Sequence, residues 1–257
     1  AQFREAIRTL GQALEAGADR GLSLRLIMAF RLQQQKLGIA DFDAMLKDLG
    51  RMPQVEELNL KDWRISTLAP LAGLKLRRFI CTEPIQDLQP LAGMPLEFFR
   101  INHAGITNLT PLRGMPLRVL SFAACLVMDV TPLRGAPLTD LDCTENRIRD
   151  LSPLDGMTLR TLNCSKNPDL QQLPKLGPNL GELNCSHCAI ESLVPIRSAR
   201  LRVLKCSGNR IVSLAPVAGM PLEHVECAHN RITDLSPLQG NGLRWLDCGS
   251  NRIADLS

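Results

Sequence analysis

Cysteine and histidine are the residue types in this 257-residue chain that could carry chemistry. Cys143, Cys164, Cys185, Cys206, Cys227 and Cys248 follow one another at intervals of 21 residues. Thiolates ligate soft metals and attack electrophiles, so nine cysteines invite a metal, a disulfide or a nucleophile. The sharpest string is Cys185-Ser186-His187-Cys188, a C-x-x-C with an intervening histidine. A tetrahedral zinc site needs four ligands, and the chain has no second C-x-x-C to supply them. Histidines occur at 103, 187, 224 and 229. A catalytic triad needs a nucleophile and an acid converging on one histidine. The strict spacing instead spreads polar residues along parallel rows, and no phosphate-binding loop or kinase signature is present. The expectation is no catalytic residue, no metal and no cofactor within these residues.

The elements that would position these side chains are set by the repeat itself. Aligned on the cysteines, the unit reads L-x-x-L-x-C-x-x-N-x-I-x-x-L-x-P-L-x-G-x-P. One copy runs Leu138, Leu141, Cys143, Asn146, Ile148, Leu151, Pro153, Leu154. The register extends back through Leu117, Leu96 and Leu76, the last opening a unit one residue short, to a first unit beginning at Val55. Nine whole units span 55–242 and a tenth stops at Ser257. Leu141-Asp142-Cys143 alternates apolar and polar, as a short strand with one buried face does. Pro153 and Gly156 interrupt regular structure further on, so short 3₁₀ or extended segments are expected there. The cysteines then line an interior ladder as reduced core thiols, and Cys188 takes the place of the recurring Asn. His103, His187 and His229 share a column two residues past the ladder, as exposed strand-end residues of different units. Trp63, Pro84, Ala104 and Cys125 stand at the Asn position in the first four units, so the region 80–105 is expected to be less regular.

This pattern resembles the leucine-rich-repeat family, and Leu201-Arg-Val-Leu204-Lys-Cys206-Ser-Gly-Asn209-Arg-Ile211 carries the resemblance best. The Asp-Leu-Ser-Pro-Leu stretches at 150–154 and 234–238 are similar to internalin-type repeats, and Leu173-Pro174 to the short repeats of secreted bacterial effectors. The Leu-x-Gly-Met-Pro-Leu linkers at 91–96 and 112–117 resemble repeats appended to bacterial Ser/Thr protein kinases. The resemblance implies an α/β solenoid: a right-handed coil with a parallel β-sheet on its concave face and an irregular or 3₁₀ convex side. It also implies that the Asn points inward and bonds the backbone of adjacent turns.

Residues 1–54 lack the repeat. Phe3, Ile7, Leu10 and Leu14 share one helix face, Leu24, Ile27 and Phe30 suggest a second helix, and 41–49 a third. The stretch Arg4 to Ala16 resembles the second helix of a tetratricopeptide repeat. The segment reads as a helical cap over the open end of the solenoid, which such folds require. The formal charge of +4, with no Tyr and two Trp, argues for neither nucleic acid nor an anionic membrane. No apolar run reaches the ~20 residues of a membrane helix. The chain lacks an initiator Met and stops within a unit, so it reads as a piece of a longer protein. Reduced thiols favour a reducing, cytoplasmic location.

The family usually binds through the concave face. Its two outward columns start Glu57, Arg78, Phe98, Val119 and Asn59, Ile80, Arg100, Ser121. Ile80, Phe98 and Val119, with Arg78 and Arg100 beside them, form a candidate partner-binding patch, because exposed aromatics and arginines favour binding. Val203, His224 and Trp245 form a second. Arg147, Arg210, Arg231 and Arg252, with Arg64 in the first unit, follow the turn Asn and read as a solvated basic row. The function implied is binding of a protein partner, with no nucleic acid, membrane or small-molecule substrate. A sensor arm of a bacterial Ser/Thr kinase and a secreted effector that binds host proteins are the alternatives.

Overall fold

A computed structural model describes residues 56–61 and 65–254. The helical cap expected over 1–54 lies outside the described residues, as do Trp63 and Arg64. Ten short strands form one parallel sheet in chain order: β1 (Glu57–Asn59), β2 (Arg78–Cys81), β3 (Phe98–Ile101), β4 (Val119–Ser121), β5 (Asp140–Asp142), β6 (Thr161–Asn163), β7 (Glu182–Asn184), β8 (Val203–Lys205), β9 (His224–Glu226) and β10 (Trp245–Asp247). The register pairs every strand residue with its repeat equivalent, as in the inward Leu141↔Leu162 and the outward Asp142↔Asn163. One coil per repeat leaves each unit's apolar face nothing to bury against except its neighbours.

The coil's return side is built from local chemistry. Eight 3₁₀ turns lie among the described residues, from Ala69–Leu71 to Ser236–Leu238, each with proline in its first two positions. Proline presets φ, and the residue two before each turn supplies an acceptor. Asp129 Oδ1 accepts from the N–H of Thr131 at 2.8 Å, and Asp150 Oδ1 from that of Ser152 at 2.7 Å. The following tight turn places glycine at φ between 73° and 89°, as at Gly73 and Gly219, after a residue with ψ near 130°. That is a type II turn, which needs glycine third. Ser198 replaces the glycine in one unit, and there Arg197 switches to ψ −19°. A side chain at that position disfavours the left-handed conformation that glycine adopts, and the chain turns the other way. The unit between β6 and β7 has no 3₁₀ turn. Gln171 stands where Asp150 caps, and its leucines are displaced relative to Pro174.

The irregularity expected over 80–105 is confined to a turn. The strands β2 and β3 are the longest and pair over four residues, Arg78↔Phe98 to Cys81↔Ile101. The missing residue is absorbed beyond Cys81, where the N–H of Ile85 donates to the carbonyl of Glu83 at 2.7 Å. A deletion in the turn leaves inter-strand register intact, because register is set by the ladder.

Candidate functional site: the concave sheet and its edge

The cysteine column is interior. Cys81, Cys143, Cys164, Cys185, Cys206 and Cys227 are buried, Cys248 is half-buried on the outer unit, and all nine are free thiols. Burial pushes the Cys81 thiol up to about 11 and the Cys227 thiol up to about 12. It raises Cys143, Cys164, Cys185 and Cys206 as well, with neighbouring thiols or carboxylates adding to the effect. These groups stay protonated near neutrality and behave as small hydrophobes. No set of three or more His, Cys, Asp or Glu among the described residues is placed to hold a metal ion.

Three residues past Cys143, Cys164, Cys206, Cys227 and Cys248, an Asn joins two neighbouring coils. Asn167 is fully buried, and its Nδ2 donates to the carbonyls of Cys143, Cys164 and Ser165 at 2.9–3.3 Å. Its Oδ1 accepts the N–H of Ile148 at 2.9 Å. Asn146, Asn209, Asn230 and Asn251 repeat this scheme. Cys188 reproduces part of it: its Sγ donates to the carbonyl of Cys164 at 3.3 Å. The C-x-x-C string thus splits into a ladder residue and a turn residue.

The histidine column is a row of left-handed turn residues. His103, Ala124, Glu145, Lys166, His187, His229 and Ser250 have φ between 53° and 57°, with Gly208 the single glycine among them at 69°. Their N–H groups continue the inter-coil ladder, His187 donating to Ser207 at 2.7 Å. The fourth histidine, His224, faces the concave side on β9.

The parallel register places the predicted partner-binding residues side by side. Phe98 lies between Arg78 and Val119, and Ile80 lies beside Arg100. Arg78 lays its guanidinium over the Phe98 ring, with Cζ 3.6 Å from the centroid; Arg100 approaches the same ring at 5.7 Å. Phe98, Ile80, Val119 and Arg78 are half-buried and Arg100 is exposed. Neither guanidinium makes an ion pair among the described residues. In the middle of the sheet the polar groups satisfy one another. Asp140 accepts from Thr139 and Thr161, both at 2.7 Å, and Asp142 from Thr144 at 2.7 Å.

The second predicted cluster is committed internally. His224 stacks on Trp245 at 6.1 Å and meets Glu226 at 2.6 Å. Lys205 donates to the same carboxylate at 2.9 Å and, with His224, holds it below the usual carboxylate range. Val203 is half-buried beside them, and Trp245 is 56% exposed on the outermost strand.

Among the exposed apolar side chains that fell outside the sequence reading are Leu126 at 43% and Met128 at 58%. They lie on the edge that follows the Asn position. Leu126 occupies the column of Arg147 and Arg210, so reading that column for apolar members would have found it.

No family model and no curated protein matches the chain. Solved structures do match. Internalin F from Listeria monocytogenes str. 4b F2365 aligns at TM-score 0.72 and 26% identity, over 82% of this chain and 64% of that one. The chain therefore spans just under two thirds of that structure. A domain of internalin J from Listeria monocytogenes, described as including a cysteine ladder, aligns at TM-score 0.61 and 24% identity, over 82% of this chain and 47% of that one. The Arabidopsis receptor kinase HAESA, in complex with the peptide hormone IDA and the co-receptor SERK1, aligns at TM-score 0.57 and 15% identity, over 80% and 39%. With the inward leucine and cysteine columns, the Asn ladder and the ten-stranded parallel sheet, these matches show that the chain has the leucine-rich-repeat fold.

Proposed function

We propose that the chain binds a protein partner on its concave sheet, with the contact centred on Arg78, Ile80, Phe98, Arg100 and Val119. The observation that carries this reading is the Arg78–Phe98–Arg100 cluster, an aromatic ring flanked by two guanidiniums that make no ion pair among the described residues. Arginine and aromatic side chains contribute most to interface energies, and these sit in a sheet where Asp140 and Asp142, at its middle, are internally bonded. HAESA, of the same fold, is solved with a peptide and a co-receptor. Val203, His224 and Trp245 form a second, smaller contact, since Trp245 leaves much of its ring exposed. The charge balance and the scarcity of aromatic rings support protein over nucleic acid.

We place the chain within a larger bacterial protein in a reducing compartment, as a binding rather than a catalytic region. The internalin matches support the first point, and nine unbridged thiols the second.

The test is affinity capture from a bacterial lysate with the native chain and with a Phe98→Ala/Arg100→Ala variant, after nuclease treatment. A protein held by the native chain and lost by the variant is expected. Identical captured sets from both, or a set that vanishes with nuclease, overturns the reading.

A further inference from the structure

The turn edge of the C-terminal units carries a second feature, independent of the concave face. Arg210, Arg231 and Arg252 occupy one column in three consecutive coils, and all three are exposed. Each is fixed by its backbone: their N–H groups donate to the carbonyls of Ile190, Ile211 and Ile232, all at 2.9 Å. Asn209, Asn230 and Asn251, one residue before each arginine, clamp the turns from inside. The guanidiniums therefore start from points ~4.8 Å apart, the spacing of neighbouring strands.

The surroundings leave this row nearly uncompensated. On one side lie Gly208, His229 and Ser250, and on the other Val212, Thr233 and Ala254. None is acidic. The single acid in reach among the described residues is Glu191, 3.8 Å from Arg210. Asp234, close in sequence, is occupied by the N–H and hydroxyl of Ser236, both at 2.7 Å. Three like charges in parallel repel one another, and an anion laid along them removes that repulsion. Guanidinium forks bind carboxylates in pairs of hydrogen bonds. Among the described residues the edge offers no Phe, Tyr or Trp ring on which a base could stack, whereas Val212, 53% exposed, offers apolar surface beside the charges.

We infer that this edge is a docking rail for an acidic segment of a partner protein, running along the solenoid axis across Arg210, Arg231 and Arg252. The probe is a fluorescein-labelled peptide of ten glutamates, read by anisotropy at low salt, with a uridine decamer of equal length as the second arm. The native chain is expected to bind the peptide, and added salt to weaken it. An Arg210→Glu/Arg231→Glu variant loses at least about tenfold in affinity, and Arg210→Gln/Arg231→Gln an intermediate amount. Far-ultraviolet circular dichroism checks that both variants keep the fold. Phe98→Ala/Arg100→Ala binds the peptide like the native chain, which separates this edge from the concave site. Absence of peptide binding overturns the inference. So do equal binding by the charge-reversed or glutamine variant, loss of binding in the concave variant, and tighter binding of the uridine decamer that the same arginine changes abolish.

Discussion

The first four described units and the later ones solve the same stacking problem with different materials. In β1–β4 the ladder holds Leu60, Cys81, Ile101 and Phe122, and Phe79 stacks on Phe99 at 5.6 Å with rings 6° from parallel. The described Asn-equivalent positions there are Pro84, Ala104 and Cys125, which lack the amide that clamps two neighbouring coils. From β5 onward the ladder is cysteine throughout, and five Asn side chains bond the backbone across coils. Large apolar side chains accompany the absence of the polar clamp, and small thiols accompany its presence. The lesson is that a solenoid needs cohesion between neighbouring coils and can take it from area or from hydrogen bonds.

The sharpest way to break this contrast is in the apolar half. Phe99→Ala removes a fully buried ring stacked on another, and about 4 kcal/mol of stability is expected to go with it. Urea unfolding followed by circular dichroism measures the loss; a loss under 1 kcal/mol would mean the aromatic pair does not hold those coils. In the polar half, Asn167→Ala strands three carbonyls and one N–H inside the turn, and about 3 kcal/mol is expected to be lost. Hydrogen exchange at the Ile148 amide should accelerate in that variant. The smallest effect carries the clamp into the apolar half. Cys125 already donates its Sγ to the carbonyl of Ile101, and Cys125→Asn adds an amide able to accept the N–H of Ile106. A gain of about 1 kcal/mol is expected. If the same thermal or urea measurement shows destabilisation, the two halves are not interchangeable at this position.

Much of this was legible without coordinates, because a 21-residue period with alternating leucines leaves few choices. The concave columns read from the repeat match the strand pairing residue for residue. The convex side was legible too, in the Asp-Leu-Ser-Pro-Leu and glycine spacing. The left-handed row was not. His187 and Lys166 adopt φ near 55° with nothing in their residue types to announce it, since only Gly208 carries the usual mark. That conformation is imposed by the inter-coil hydrogen bonds on either side of it. The exposed Leu126 and Met128 were overlooked for a different reason: the edge was read for its arginines alone.

By itself the amino-acid order determined the period and the inward and outward columns, because these depend on neighbours within one coil; the Asn clamp was what the family resemblance implied. The three-dimensional structure alone decided what touches what across coils. It laid Arg78 on Phe98, gave His224 to Glu226 and Trp245, and, among the described residues, left Arg231 and Arg252 without an ion pair. Such contacts join residues one or two repeats apart, and rotamers, stagger and local competition for partners settle them only once the coils are stacked.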